Sequence, residues 1–111
     1  MNDRMAKINE LIAQELGMII RQEIEFPADT LVTIMSVKTA SDLRQAKVYI
    51  SVLPLDQTKE VMKLLIKDAY NLQHVLNDKI TLKFIPKLMF YIDKTAEQVK
   101  DIDDLLNNLK Y

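Results

Sequence analysis

Lys59, Lys63 and Lys67 recur every four residues, so on a helix they form one stripe of ammonium groups. Lys79, Lys83 and Lys87 follow, and between the two sets lie Ala69-Tyr70-Asn71 and His74. Ammonium groups pair with phosphates and release counterions, which gives an affinity that falls as salt rises. An exposed aromatic can stack on an unpaired base, and His74 adds a donor. Residue types in this order point to a contact with a nucleic acid. The competing reading is that the lysines solubilise a sheet edge and that Tyr70 belongs to the core. The pattern favours binding without deciding it.

Catalysis finds less support. An enzyme needs a nucleophile, acids and bases or a metal in convergent positions. His74 is the one histidine and has no partner visible in the sequence. Asp101, Asp103 and Asp104 cluster, but an acidic run on a terminal helix reads first as a solvated face. There is no cysteine, which excludes disulfides, thiolate zinc sites and a thiol nucleophile. With one glycine in the chain, phosphate-binding and dinucleotide loops are absent. The expectation is a protein without catalytic residues, cofactor or metal.

The charge balance is uneven. The net charge of −1 argues weakly against a polyanion partner. Residues 1–37 carry three basic and six acidic side chains, residues 38–94 ten and six, and residues 95–111 two and four. The middle of the chain is therefore locally basic between acidic ends. No apolar run approaches the ~20 residues of a membrane span. The mixed charge of Met1-Asn2-Asp3-Arg4 does not read as a signal peptide. The expectation is a cytoplasmic protein of one domain over residues 1–111.

The elements that must position the lysines follow from periodicity. Met5, Ile8, Leu11, Ile12, Leu16, Ile19 and Ile20 fill one side of a helix over residues 4–22, and Phe26-Pro27 closes the segment. Gly17, inside that helix, predicts close packing against another element. Residues 31–39 and 44–53 read as strands joined by a turn at 40–42, where Asp42 can bond nearby backbone. Pro54 closes this hairpin. A helix follows from about residue 57, with Asp56 or Thr58 as its N-cap. Leu72, Val75 and Leu76 mark a further helical stretch. Asn71 tolerates left-handed angles, so Ala69-Tyr70-Asn71 can break the helix. One continuous helix over 57–79 fits as well. Thr81 to Ile92 alternates and predicts a long strand. Leu82, Phe84, Leu88, Phe90 and Ile92 fall on one face, Lys83, Lys87 and Tyr91 on the other, and Pro86 marks an edge, bulge or bend. Thr95 to Gln98 fits a capping box, and Val99, Ile102, Leu105, Leu106 and Leu109 predict a terminal helix. The sum is an α+β domain with a three-stranded sheet and helices on one side.

Two stretches resemble a known family. VTIMSVKTASDLRQAKVYISV, from Val32 to Val52, is similar to the signature hairpin of bacterial ribosome-binding factor A. LKFIPKLMFYID, from Leu82 to Asp93, followed by Thr95, is similar to its second signature. The resemblance spans about residues 4–109. It implies a KH-like fold of the type II arrangement, with a helix–kink–helix in place of the usual glycine-rich loop. Ala69-Tyr70-Asn71 falls at the family's alanine-any-glycine kink, with Asn71 where glycine is expected, which favours the broken helix. Phe26-Pro27 stands where members carry Asp-Pro. The chain ends at Tyr111, without the longer extension of many members. The resemblance also implies a monomer that binds the free 30S subunit and 16S rRNA. Its role would be to assist subunit maturation and processing of the 16S rRNA 5′ end, above all in the cold. A protein–protein adaptor with no direct RNA contact is the alternative.

Overall fold

The computed structural model describes residues 3–83 and 85–94. The chain runs α1 (Asp3–Glu23), β1 (Leu31–Thr39), β2 (Gln45–Leu53), a 3-10 turn (Leu55–Gln57), α2 (Thr58–Lys67), α3 (Ala69–Lys79) and β3 (Lys87–Ile92). The sheet order is β1-β2-β3. β1 and β2 are antiparallel, with a bulge at Met35 between Ile34 and Ser36, and β2 and β3 are parallel. A parallel neighbour requires a long crossover, and α2 and α3 supply it. Helix, strand, strand, helix, break, helix, strand is the α+β order of the expected KH-like arrangement. The predicted terminal helix and its capping box lie outside the described residues, as does Phe84.

The core sits between the helices and one face of the sheet. Ile8, Ile12, Leu16, Ile19 and Ile20 of α1 are buried, as the helical spacing predicts. Ala46, Val48, Ile50 and Val52 line the inner face of β2, the central strand, and all four are buried. Val61 and Leu65 of α2, Leu72 and Leu76 of α3 and Leu88 of β3 close the same cluster. Each fully buried aliphatic side chain contributes about 1.5–3 kcal/mol. Among the described residues no polar or charged residue is buried as a whole.

The hairpin forms as its turn chemistry predicts. Asp42 Oδ1 accepts from the Arg44 backbone N–H at 3.0 Å, an Asx turn. Leu43 takes φ 63°, and its N–H donates to the Ala40 carbonyl at 2.8 Å. A leucine at positive φ is strained, and its half-buried side chain packs on the core in return.

Five expectations need correction. The strand predicted from Thr81 begins only at Lys87, because β2 starts at Gln45 and its partner in register is Lys87. Nothing upstream is left to pair with residues 81–83, 85 and 86, and Pro86 has no N–H to donate. Lys83 is thus off the strand that carries Lys87. The N-cap of α2 is Gln57, without a side-chain bond; neither Asp56 nor Thr58 caps it. The preceding 3-10 turn satisfies the entry instead, with the Gln57 N–H on the Pro54 carbonyl at 3.0 Å. The helix break lies at Asp68, one residue before the expected triplet, with φ −95° and ψ 6°. The Asp68 N–H donates to the Leu64 carbonyl at 3.0 Å, and its own carbonyl accepts from the Leu72 N–H at 2.9 Å. One residue therefore ends α2 and starts α3. Asn71 adopts no left-handed angle; it lies in the first turn of α3. Finally, Gly17 is not in forced contact. A Cβ there would meet Ile34 Cδ1 at 4.0 Å and Arg21 Nη1 at 3.7 Å, ordinary van der Waals distances.

Candidate nucleic-acid interface

The residues predicted to carry binding divide into three groups around the Asp68 break. Lys59, Lys63 and Lys67 are exposed on α2, one turn apart, and lead toward the break. Their neighbours Val61 and Leu65 hold the opposite side of the helix in the core. The stripe is therefore turned outward by burial of Val61 and Leu65.

Past the break, α3 presents two rows beside its buried Leu72 and Leu76. Tyr70 and His74 form the first. Tyr70 is 87% exposed, and its ring lies nearly parallel to the imidazole, at 7° and 6.5 Å between centroids. The aromatic surface expected of this position faces solvent, and the core reading of Tyr70 is overturned. Ala69, Gln73 and Asn77 form the second row, at the i, i+4 spacing that puts residues on one face.

This second row lines a cavity of about 520 Å³, together with Arg44, Tyr70, Ile85, Lys87 and Leu88. Gln73 builds its floor. The Gln73 Oε1 accepts from the Leu88 N–H at 2.8 Å, and its Nε2 donates to the Pro86 carbonyl at 3.2 Å and to Asn77 Oδ1 at 3.1 Å. The Lys87 N–H donates to the Arg44 carbonyl at 3.0 Å, which sets these two cationic residues side by side at the start of β3. The mouth thus combines a guanidinium, an ammonium and an exposed aromatic pair. That set suits a phosphate and a stacked base.

Ala69, Tyr70 and Lys87 are brought together here, and His74 stacks at the rim. Lys59, Lys63, Lys67, Lys79 and Lys83 are exposed but do not line the cavity. Asn71 points elsewhere. Its Nδ2 donates to Glu23 Oε1 at 2.8 Å and Asp68 Oδ2 at 3.3 Å, and so fastens the start of α3 to the end of α1. Arg44, Gln73 and Asn77 were missed in the sequence. The repeat Ala69, Gln73, Asn77 was a usable signal for two of them. Arg44 arrives from the distant hairpin and carried no local signal.

A larger groove of about 700 Å³ runs between α1 and the start of β1, past Gly17, Met18, Phe26 and Ile34. It holds none of the predicted residues, and its one cationic side chain is Arg21. Size alone does not make it the site. Among the described residues no group of three or more His, Asp or Glu could hold a metal, and no helix is long and apolar enough to cross a membrane.

Comparison with known proteins bears on this arrangement. A family model described as ribosome-binding factor A matches residues 4–106. The chain belongs to the ribosome-binding factor A family. Ribosome-binding factor A of Bdellovibrio bacteriovorus is 33% identical over 108 residues, 96% of this chain and 81% of that protein. A solution NMR structure from Thermotoga maritima, provisionally described as a ribosome-binding factor A, superposes with a TM-score of 0.71. It is 27% identical and covers 86% of this chain and 93% of its own. A homology model of the Thermus thermophilus factor, fitted into a cryo-EM map of a 30S complex, gives a TM-score of 0.66 at 19% identity, over 78% of this chain and 92% of its own. At that identity the likeness speaks for the fold.

Proposed function

We propose that this chain is a non-catalytic assembly factor of the small ribosomal subunit. It acts in the cytoplasm as a monomer of one domain, binds the free 30S subunit and supports processing of the 16S rRNA 5′ end, above all in the cold. The break face makes the contact. Lys59, Lys63 and Lys67 meet phosphates along one rRNA strand, Arg44 and Lys87 meet phosphate at the cavity mouth, and a base stacks on Tyr70 beside His74.

The observation that carries this reading is the Tyr70–His74 pair, fully presented at a cavity that also holds Arg44 and Lys87. Tyr70 is almost fully exposed beside His74 and close to two cations, so its ring face is open to a stacking partner. Family membership and the Thermus factor's fit in a 30S complex support the choice of partner. Binding then selects one rRNA arrangement over its competitors by differential affinity. Cold deepens misfolded RNA traps, so such selection matters most there.

Co-sedimentation with free small subunits and with whole ribosomes, over a salt series, tests the reading. Retention is expected on free subunits and falls as salt rises. Lys63→Glu with Lys67→Glu should lower retention about tenfold or more and flatten the salt dependence, with the circular dichroism spectrum unchanged. Tyr70→Ala should weaken retention and leave the salt slope in place, because a stacked ring releases no counterion. Retention that ignores both salt and these changes would instead assign the contact to a protein partner.

A further inference from the structure

The sheet face turned away from the helices carries residues that the break-face reading leaves unused. On β2, Lys47, Tyr49 and Ser51 alternate with the buried Val48, Ile50 and Val52. The register places Lys38 of β1 opposite Lys47, and Tyr91 of β3 beside Tyr49.

These side chains are organised on one another. The rings of Tyr49 and Tyr91 stack, 5.8 Å between centroids and inclined by 30°. The Lys38 ammonium lies over the Tyr49 ring at 5.6 Å, and the Lys47 ammonium over the Tyr91 ring at 5.7 Å. Two rings thus occupy the middle of the face with a cation above each. None of the outward positions of the three strands holds Asp or Glu; the first carboxylate of that parity is Asp93, just past the end of β3. In a chain whose net charge is −1, this face is cationic by placement. Lys38 and Lys47 also oppose each other directly across the strands, an arrangement that lowers stability when no anion is present.

We propose that this face is a second nucleic-acid contact, a platform for single-stranded RNA that stacks bases on Tyr49 and Tyr91 and holds phosphates with Lys38 and Lys47. The platform stands independently of the break face. A polyanion relieves the repulsion between the paired lysines, which an apolar or basic protein surface would not do. Unpaired bases are required because a duplex hides the base faces that would lie on the rings. The present ring partners are exchangeable. A base takes the ring face, and the displaced ammonium swings on its flexible stem to the adjacent phosphate. The cation–π contact is lost, and a base stack on the ring and an ion pair to the phosphate replace it.

The test uses the full chain and a short fluorescein-labelled RNA of mixed sequence, read by anisotropy as a single strand and annealed to its complement. Tighter binding of the single strand is expected. Tyr49→Leu with Tyr91→Leu should lower that affinity about tenfold or more. Lys47→Thr should weaken RNA binding and at the same time raise the denaturation midpoint, a pair of effects that a purely structural lysine would not give. Lys63→Glu with Lys67→Glu should reduce subunit retention yet leave the RNA-induced shift changes at Tyr49 and Tyr91 in place, so failure of one reading is separable from failure of the other. Amide shift changes on the unaltered protein should centre on Lys38, Lys47, Tyr49 and Tyr91, and they decide the matter if the tyrosine variant does not fold. No binding, equal binding of the duplex, or shifts confined to the break would overturn the proposal.

Discussion

The amide of Gln73 is used at both ends, and this one side chain ties the helical crossover to the sheet. Its oxygen holds the Leu88 N–H and its nitrogen holds the Pro86 carbonyl. Pro86 has no donor of its own, so the chain entering β3 depends on a side chain for its anchorage. Gln73→Leu keeps the size of the residue and removes all of these bonds. It leaves the half-buried Leu88 N–H without a partner, and a cost of about 1–3 kcal/mol follows. Urea denaturation should show that loss, and the Leu88 amide should exchange faster with solvent. An unchanged midpoint would mean that water replaces the glutamine at no cost. The same residue shapes the cavity floor, so the variant should weaken RNA binding more than its exposure suggests.

At the scale of elements, β1 was legible to the residue because its β-branched run has clear turn residues on either side. Three departures share a cause, which is that a local pattern does not say what lies across from it. The alternation from Thr81 is real, yet a strand needs a partner, and β2 provides one only from Gln45 onward. Asn71 had the right propensity for a kink. Its amide found better use between Glu23 and Asp68, and the backbone turned at Asp68. In the site, the lysines and Tyr70 were readable as types. Arg44 meets Ala69 and Lys87 only once β2 and β3 pair, so the cavity could not be read from either stretch. Gly17 is the fourth case. With room for a methyl group in a long helix, Gly17→Ala should stabilise the protein by about 1 kcal/mol, measured as a higher urea midpoint at unchanged slope. A loss of stability would show that α1 and β1 tolerate no added atom.

At the scale of the molecule, charge and core are kept apart. Cations of the middle segment lie on α2, around the break and on the outer sheet face, while the interior is built from aliphatic side chains. Ionic conditions therefore act first on what the surface holds, and on the fold only through cations that face each other, as Lys38 and Lys47 do. The aliphatic interior has a further consequence, and it concerns temperature. Exposing such a core on unfolding raises the heat capacity, by roughly 12–15 cal/mol/K per residue, and so bends the curve of stability against temperature. Proteins with this signature are most stable at about 10–20 °C. Unfolding free energies measured by urea from near freezing to physiological temperature should trace such a dome, and a steady rise on cooling would contradict it. If the chain is the cold-acting assembly factor proposed above, it would then work where its own fold is firmest, while the RNA it serves is at its most trapped.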